Sequence, residues 1–349
     1  MDLKMHKWLW LAAQVFLLAG GATSFAADRK IYVANEDAGT LSVIDGASLT
    51  TVRSIAVGKG AHNVQSAPDG KRVWVTNNGL PPPAAGSASH KGMTEAEHGD
   101  MSTTGEVWAI DTATDEVVAK VSVGKHPAHV VLTNDGSYAW VTNGGDNTVS
   151  VVDTATLKVV DTLPTGAFPH GIRVSPDGKQ AYVANMKGGT VSVIDMESRK
   201  ELTQIAVGKG PAQVGFTPDG RFAFVSLSQE NRVAVIDPVG RKVLQTIVVG
   251  ATPIQLFVTP DSRFLIVANQ GTRKAPGKTV SVIDLNNVER IKTIGTGSGA
   301  HGVAIGADGR YAYVSNVYAN TVTVIDIPAG KALKTLAVGR GPNGITVAP

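Results

Sequence analysis

One short motif recurs along the chain at an almost constant spacing. The motif is close to Val-x-Val-Ile-Asp, and its closing aspartate occurs seven times, at Asp45, Asp111, Asp153, Asp195, Asp237, Asp284 and Asp326. The gaps between these aspartates are 66, 42, 42, 42, 47 and 42 residues, so the period is 42 residues with insertions of 24 and 5. A period of this length, built from short alternating strands, is typical of a β-propeller.

Each repeat predicts four strands. In one complete unit, apolar residues alternate with Thr, Ser and Ala, as half-buried antiparallel strands require. The predicted strands of this unit are Gly171–Ser175, Ala181–Asn185, Thr190–Asp195 and Glu201–Val207. The aspartate that ends each third strand is predicted to accept hydrogen bonds from the turn that follows it. The fold class is therefore all-β, a single seven-bladed β-propeller of four-stranded antiparallel blades.

The last strand of the chain is predicted to close the ring. The repeats start at the second strand of the first unit, and a lone first strand, Gly344–Pro349, stands at the end. Pairing that strand with the first unit completes the first blade and leaves no long free sheet edge. The propeller domain is predicted to occupy residues 27–349.

Residues 1–26 have the pattern of a secretory signal peptide. Lys4 and Lys7 precede a short apolar run, and Ser24-Phe25-Ala26 places small residues where a signal peptidase cleaves. Cleavage is expected between Ala26 and Ala27, with the mature protein periplasmic or secreted. No later segment is apolar enough to span a membrane once the signal is removed.

The composition excludes several kinds of cofactor site. The chain has 0 cysteines, which excludes disulfides, a covalently attached c-type haem, thiolate zinc sites and blue-copper centres. The net charge of +3 is far from that of a dedicated nucleic-acid-binding protein.

Five histidines lie where a first strand begins. They are His62, His126, His129, His170 and His301. Because first strands are innermost in a propeller, these side chains are expected to ring the mouth of the central channel. The alternative is that they hydrogen-bond loop carbonyls and hold no ligand.

A second group of ligand-type residues lies in the 24-residue insertion, predicted as a loop over residues 79–105 on the same face. This loop contains two His-x-x-Met pairs, His90 with Met93 and His98 with Met101. Imidazole with thioether suits copper, whereas imidazole with carboxylate suits zinc. The predicted metal ligands are His62, His129, His170, His301, His126, His90, Met93, His98 and Met101, with copper favoured over zinc. Alternatively, the insertion is a polar excursion without a ligand.

Other functional patterns are weaker. Arg273, Lys274 and Lys278 lie in one loop of the predicted metal face and could attract an anion or single-stranded DNA. No nucleophile elbow, His-Glu-x-x-His helix or catalytic cysteine is present, so no catalytic residue is assigned.

The second-strand motifs resemble those of a known family. Ala139–Asn143, Tyr182–Asn185 and Tyr313–Asn316, each followed by a variant of Val-Ser-Val-Ile-Asp, resemble the YVTN-repeat, or YncE-like, β-propellers. This resemblance implies an exported seven-bladed propeller, and some members are linked to DNA binding. The repeat is also similar to the propellers of nitrous oxide reductase and of haem d1 nitrite reductase, where histidines on one face hold copper or haem. Their ligands do not match residues here one by one, so those activities are not transferred.

The sequence therefore predicts an exported binding protein with a transition metal at the channel mouth. Its expected partners are the metal ion and a periplasmic protein. The alternatives are a metal-free scaffold for a protein or single-stranded DNA, a metal-dependent oxidoreductase, and a hydrolase similar to the lactonase propellers.

Overall fold

The computed structural model describes residues 30–79, 103–287 and 289–348, and these residues form seven four-stranded antiparallel sheets. Blade 1 is β28-β1-β2-β3, and blades 2 to 7 take four consecutive strands each, from β4 to β27. The predicted all-β fold, a ring of seven blades, is confirmed. Within the described residues, no helix is long and apolar enough to cross a membrane.

The strands of blades 1 to 4, apart from β28, are β1 (Lys30–Asn35), β2 (Thr40–Asp45), β3 (Thr50–Ala56), β4 (Ala61–Ser66), β5 (Arg72–Asn77), β6 (Thr104–Asp111), β7 (Glu116–Lys125), β8 (Pro127–Leu132), β9 (Tyr138–Asn143), β10 (Thr148–Asp153), β11 (Lys158–Pro164), β12 (Pro169–Val174), β13 (Gln180–Asn185), β14 (Thr190–Asp195) and β15 (Lys200–Ala206). Those of blades 5 to 7, with β28, are β16 (Pro211–Phe216), β17 (Ala223–Leu227), β18 (Arg232–Asp237), β19 (Lys242–Val248), β20 (Pro253–Val258), β21 (Phe264–Gly271), β22 (Pro276–Asp284), β23 (Glu289–Gly295), β24 (Ala300–Ile305), β25 (Tyr311–Asn316), β26 (Thr321–Asp326), β27 (Lys331–Ala337) and β28 (Pro342–Ala348).

The ring closes as the repeat predicts. Strand β28 pairs antiparallel with β1, with Lys30 opposite Ala348 and Val33 opposite Ile345. The first strands of neighbouring blades contact one another all the way round, including β28 with β4 and with β24. They therefore form the inner wall of the propeller.

First strands begin two residues earlier than the alternation of apolar residues predicts. In blade 4 the strand starts at Pro169, which pairs with Asn185, and not at Gly171. The difference arises because a β-bulge interrupts the alternation between Pro169 and Ile172. Of the five histidines predicted at the channel mouth, four therefore lie within the inner strands, and His126 directly precedes β8.

The core is divided among the blade interfaces. Each of the seven interfaces holds one cluster of buried apolar side chains from both neighbouring blades. Blades 3 and 4, for example, bury Trp140 and Val151 against Ile172 and Val183. The hydrophobic effect therefore stabilises the ring as a whole, because each cluster exists only when two blades are in contact.

The aspartates of the repeat cap turns, as predicted. Asp153 Oδ1 accepts hydrogen bonds from the backbone N–H groups of Ala155 at 3.0 Å and Thr156 at 2.7 Å. The backbone bond to Thr156 is the main cause that lowers the pKa of this carboxyl. These residues serve the fold.

Candidate metal centre

A β-bulge shapes the inner strand of each blade at the end where the histidines lie. In blade 2 the register with β5 shifts between Ala61 and Val64, so His62 and Asn63 together face Thr76. The same shift recurs in blades 3 to 7. A bulge redirects side chains that a regular strand would place on alternate faces. It therefore allows histidines from either of two adjacent positions to meet.

In three of the four inner strands that contain a histidine, the other bulge position is glycine or alanine; blade 2 is the exception, with Asn63 after His62. Gly171 follows His170, and a Cβ atom on Gly171 would collide with the Gln213 side chain and the Ala212 carbonyl of the next blade. Blade 3 uses the reverse order, with Ala128 before His129. These three inner strands thus present a histidine and still allow close contact with their neighbours.

Three of the predicted histidines form one buried cluster, the His triad of His62, His129 and His170. One ring nitrogen from each residue lies within 4.8 Å of the other two. The Nε2 atoms of His62 and His170 are 3.3 Å apart, and the His129 and His170 ring centroids are 4.7 Å apart. All three residues are at most 6% exposed. Residues from three consecutive blades therefore converge on one point.

Hydrogen bonds fix the proton positions in the His triad without a metal. His170 Nδ1 donates to the Ala212 carbonyl at 2.9 Å, which leaves a lone pair on its Nε2. Asn343 Nδ2 donates to His62 Nδ1 at 3.1 Å, so the proton of His62 is on Nε2 and points to the His170 lone pair. One proton therefore occupies the space between two ligand-type nitrogens.

His129 is the most deeply buried member of the triad, at 0% exposure. Burial is the main cause that lowers its pKa well below the usual value, and the neighbouring His170 and His62 add to the effect. Gln213 Nε2 donates to His129 Nδ1 at 3.3 Å. His129 Nε2 has no hydrogen-bond partner within the described part of the chain. The imidazole is thus neutral at pH 7 and has one unsatisfied nitrogen.

Thr142 positions two members of the triad. Its hydroxyl oxygen accepts the His129 backbone N–H at 2.9 Å and donates to the His170 backbone carbonyl at 2.6 Å. This buried residue at the end of β9 therefore joins the inner strands of blades 3 and 4.

A carboxylate lies behind His62. Glu36 Oε1 is 3.3 Å from His62 Nδ1, and both side chains are largely buried. Asn78 and Asn343 donate to the two oxygens of Glu36 at 2.8 Å each. The carboxylate is thereby held beside Nδ1, where it would accept a proton if His62 changed to the tautomer that carries its proton on Nδ1.

Two other predicted histidines lie outside the cluster. His301 is 3% exposed and close enough to help lower the His129 pKa, but it is not part of the triad. His126 precedes β8 with a φ of 51° and packs on Phe168, with ring centroids 5.6 Å apart.

The predicted ligands of the insertion, His90, Met93, His98 and Met101, lie outside the described residues. The start of this segment is well placed, however. The Asn78 N–H donates to the Gly60 carbonyl at 3.0 Å, and the Asn78 side chain donates to Glu36. The insertion therefore leaves blade 2 from the hydrogen-bond network of His62.

The predicted anion-binding residues Arg273, Lys274 and Lys278 are exposed on the β21–β22 hairpin. The Arg273 guanidinium lies 5.2 Å from the centre of the Tyr318 ring. These cations form a surface group separate from the His triad.

Sequence reasoning missed the residues that support the triad. Glu36, Gln213 and Asn343 belong to no recurring motif, and Thr142 belongs to the second-strand motif, which predicts a strand and not a contact with a histidine. One signal was available for Thr142, since residue types Thr and Ser recur at its position in Thr76, Ser226 and Ser315.

The fold and the buried cluster define a seven-bladed β-propeller with histidines at the centre of one end. The family model of the YNCE-like beta-propeller matches residues 105–222 and 211–348. Because these matches cover more than half of the chain, the protein belongs to the YNCE-like β-propeller family. No curated protein gave a significant match.

Several solved structures share the fold at low sequence identity. A functionally unknown protein from Desulfotomaculum acetoxidans DSM 771 is 19% identical with a TM-score of 0.74, over 92% of this chain and 99% of that one. Kuenenia stuttgartiensis hydrazine synthase is 20% identical with a TM-score of 0.70, over 83% and 90%. The dihydro-haem d1 dehydrogenase NirN is 16% identical with a TM-score of 0.63, over 91% and 74%. These similarities concern the fold alone.

Proposed function

We propose that this protein binds one transition-metal ion, copper in preference to zinc, through the His triad. The observation that carries the proposal is the convergence of three buried imidazole nitrogens within 4.8 Å. Two nitrogens bound to one ion at about 2.0 Å and at the tetrahedral angle lie about 3.3 Å apart. The Nε2 atoms of His62 and His170 have this separation.

The surroundings of the triad favour a cation over a purely structural hydrogen-bond network. An ion would replace the proton between His62 and His170, and the displaced proton can move to His62 Nδ1, beside Glu36. In metal sites, a ligating histidine commonly donates its other ring N–H to a carboxylate, which orients the imidazole. The depressed pKa of His129 keeps this imidazole neutral, as metal binding requires, and coordination through Nε2 would also move its proton to Nδ1, with the Gln213 amide turned to accept it.

Copper is favoured for two reasons. Cu²⁺ binds a given set of nitrogen ligands more tightly than the other divalent ions of its row. The thioethers of Met93 and Met101, in a segment that leaves the protein beside Glu36, would add soft ligands for Cu⁺. The three histidines leave at least one coordination position for such a ligand.

Metal analysis of the purified mature protein tests the site. We expect one copper per chain in the parent protein and near-zero copper in His62→Gln, His129→Gln and His170→Gln. The matched control is His126→Asn, which changes a buried histidine outside the triad and keeps a residue that tolerates a positive φ. Equal copper in all variants, or none above background in the parent protein, would refute the proposal.

Two further measurements refine the assignment. Deletion of residues 84–104 should weaken Cu⁺ binding more than Cu²⁺ binding if the methionines contribute. If zinc displaced copper in direct competition, the assignment of copper would be refuted, but the proposal of a metal site at the His triad would stand.

We also propose that the protein acts outside the cytoplasm. The support is the signal-peptide pattern of residues 1–26. N-terminal sequencing of protein from the periplasmic fraction should begin at Ala27, whereas a full-length chain confined to the cytoplasm would contradict export.

A further inference from the structure

The inner wall of the propeller contains one residue with a fixed charge. The seven inner strands are β4, β8, β12, β16, β20, β24 and β28, and all lie within the described residues. Their sequences contain no aspartate, glutamate or lysine, and Arg173 of β12 is their single arginine. Arg173 is partly buried, so its charge is less well solvated than on an open surface, and an anion beside it would compensate that loss.

Arg173 extends across the centre of the ring. Its guanidinium lies 5.7 Å from the centre of the Phe257 ring, although Arg173 belongs to blade 4 and Phe257 to blade 6. The side chain therefore passes the inner strand of blade 5, where Gly215 offers no side chain to block it. Arg173 also helps to lower the pKa of His129, which places its charge near the His triad.

The guanidinium has no counter-ion within the described chain. Its Nη1 donates to the neighbouring Ile172 carbonyl at 3.2 Å, and no described carboxylate forms an ion pair with it. Burial alone lowers its pKa to about 10, so it stays charged at pH 7. Four of its five N–H groups have no acceptor among the described residues and are open to water or to an anion.

A second donor on the inner wall also lacks an acceptor. Gln255 of β20 is 3% exposed, and its Oε1 accepts the Val303 N–H at 3.4 Å. This bond directs the amide nitrogen away from Val303, and Gln255 Nε2 has no hydrogen-bond partner among the described residues. Gln255 lies two residues before Phe257, the ring beneath Arg173. Strand β20 thus adds an unpaired N–H donor to an unpaired cation.

We propose that the central channel binds a small anion with two oxygen atoms on one side, of the carboxylate class, through Arg173 and Gln255. A guanidinium forms two parallel hydrogen bonds with such an anion, and a buried amide N–H can add a third. The anion must be small, since Arg173 and the aromatic ring of Phe257 already occupy part of the lumen. This site does not depend on the metal, although a cation in the His triad would strengthen anion binding by its charge.

Calorimetric titration of the metal-free mature protein with sodium formate tests the site directly. The ionic strength is held constant with a buffer anion too bulky for the channel. Chloride serves as a comparison anion, because it has no pair of oxygen atoms to accept two parallel hydrogen bonds. We expect saturable formate binding in the parent protein and at least about tenfold weaker binding in Arg173→Gln. Arg173→Lys keeps the positive charge but cannot form the two parallel hydrogen bonds of a guanidinium, so its formate affinity should lie between those of the parent protein and Arg173→Gln.

Arg221→Gln is the matched control. Arg221 also lies over an aromatic ring, that of Phe222 at 5.5 Å, but it is exposed on a surface turn. Formate binding should be unchanged in this variant. An equal loss in Arg221→Gln and Arg173→Gln, or no saturable binding in the parent protein, would overturn the proposal.

Thermal unfolding separates an anion site from a purely structural arginine. If Arg173 only packs on Phe257, Arg173→Met should lower Tm, and formate should affect parent and variant alike. For an anion site, formate should raise the Tm of the parent protein and leave that of Arg173→Met unchanged, while Arg173→Met without formate should be at least as stable as the parent.

The outcome also separates this inference from the proposed metal site. Copper stoichiometry in Arg173→Met should stay at the parent value, because Arg173 is not a ligand. Formate binding by a protein that takes up no copper would refute the metal site alone. Copper binding without formate binding would refute the anion site alone.

Discussion

At the scale of single residues, Thr142 holds two histidines of the triad through their backbone groups. We expect Thr142→Val to lower the free energy of unfolding by about 2 kcal/mol, because it leaves the His129 N–H and the His170 carbonyl buried without partners. Copper affinity should fall about 10- to 100-fold, the usual effect of losing a supporting residue. Urea unfolding and copper titration measure the two quantities.

Thr323→Val is the control for Thr142→Val. Thr323 is a buried threonine whose hydroxyl oxygen accepts from Asn316 Nδ2 at 2.9 Å and from the Gly297 N–H at 3.3 Å, and it belongs to blade 7, which contributes no residue to the triad. The variant should be destabilised to a similar degree with unchanged copper affinity. Comparable losses of copper affinity in both variants would mean that Thr142 acts through general stability.

A second prediction concerns backbone strain. Thr252 precedes β20 with a φ of 49°, in a conformation that is unfavourable for a β-branched residue. Glycine stands at the equivalent point before β16 and β24, as Gly210 and Gly299. Thr252→Gly should raise the free energy of unfolding by about 1 kcal/mol, the relief of strain less the entropy cost of glycine. Thr335→Gly, in the exposed strand β27, should instead destabilise, and stabilisation of both would refute the explanation.

At the residue scale, the repeat predicted which histidines share a position, but not which of them meet. His301 shares a column of the repeat with His62 and His170, yet it is not part of the triad to which these two belong. Whether His129 or His126 joins them depends on a bulge that no alternation pattern reveals. Glu36 and Asn343 could not be found in this way, because the side-chain bond between them joins residues at opposite ends of the propeller sequence.

At the scale of elements, neighbouring blades are linked by polar contacts as well as by apolar clusters. The Tyr32 hydroxyl of β1 donates to Asp115 Oδ1 in the β6–β7 turn at 2.7 Å, and Lys30 pairs with the same carboxylate at 2.9 Å. Both residues of blade 1 thus depend on one acceptor of blade 2. Asp115 has a φ of 57°, which aspartate tolerates better than most residues.

This contact predicts a loss of stability at alkaline pH. Burial, then the hydrogen bond to Asp115, raises the pKa of Tyr32 above its usual value near 10. The folded state therefore keeps a proton that the unfolded state loses, so its contribution is complete below pH 10 and declines as the pH rises further. Urea unfolding from about pH 9 to about pH 11 should show a decline of up to about 1.4 kcal/mol per pH unit from this group.

Tyr32→Phe isolates the effect. The variant should be less stable than the parent at neutral pH because Asp115 loses a donor, and the difference should shrink above pH 10. Other tyrosines, such as Tyr182 and Tyr318, also have a raised pKa through burial, but their contribution is common to both proteins. Parallel pH profiles for parent and variant would show that Tyr32 does not titrate as described.

At the scale of the whole molecule, the sequence was most informative, because a 42-residue period with seven copies has one simple closed solution. The chain closes blade 1 with β28, and this strand also supplies Asn343 to the network of Glu36 and His62. Ring closure and the candidate site are therefore coupled. The period could not reveal this coupling, since it shows which residues share a position and not which side chains are in contact.

Circular permutation tests whether the ring, and not the location of the ends, determines the fold and the site. Lys30 lies opposite Ala348, so Pro-Asp-Gly-Lys can join them as the same four residues join Ala67 to Arg72 in blade 2. Opening the chain between Asp177 and Gly178 then gives a protein that starts with β13 and is closed by β12. Its Tm and copper affinity should be close to those of the parent, whereas deletion of residues 342–349 should abolish cooperative unfolding by exposing β1 and opening two blade interfaces. A permutant that folds but does not bind copper would show that the His triad depends on more than the closed ring.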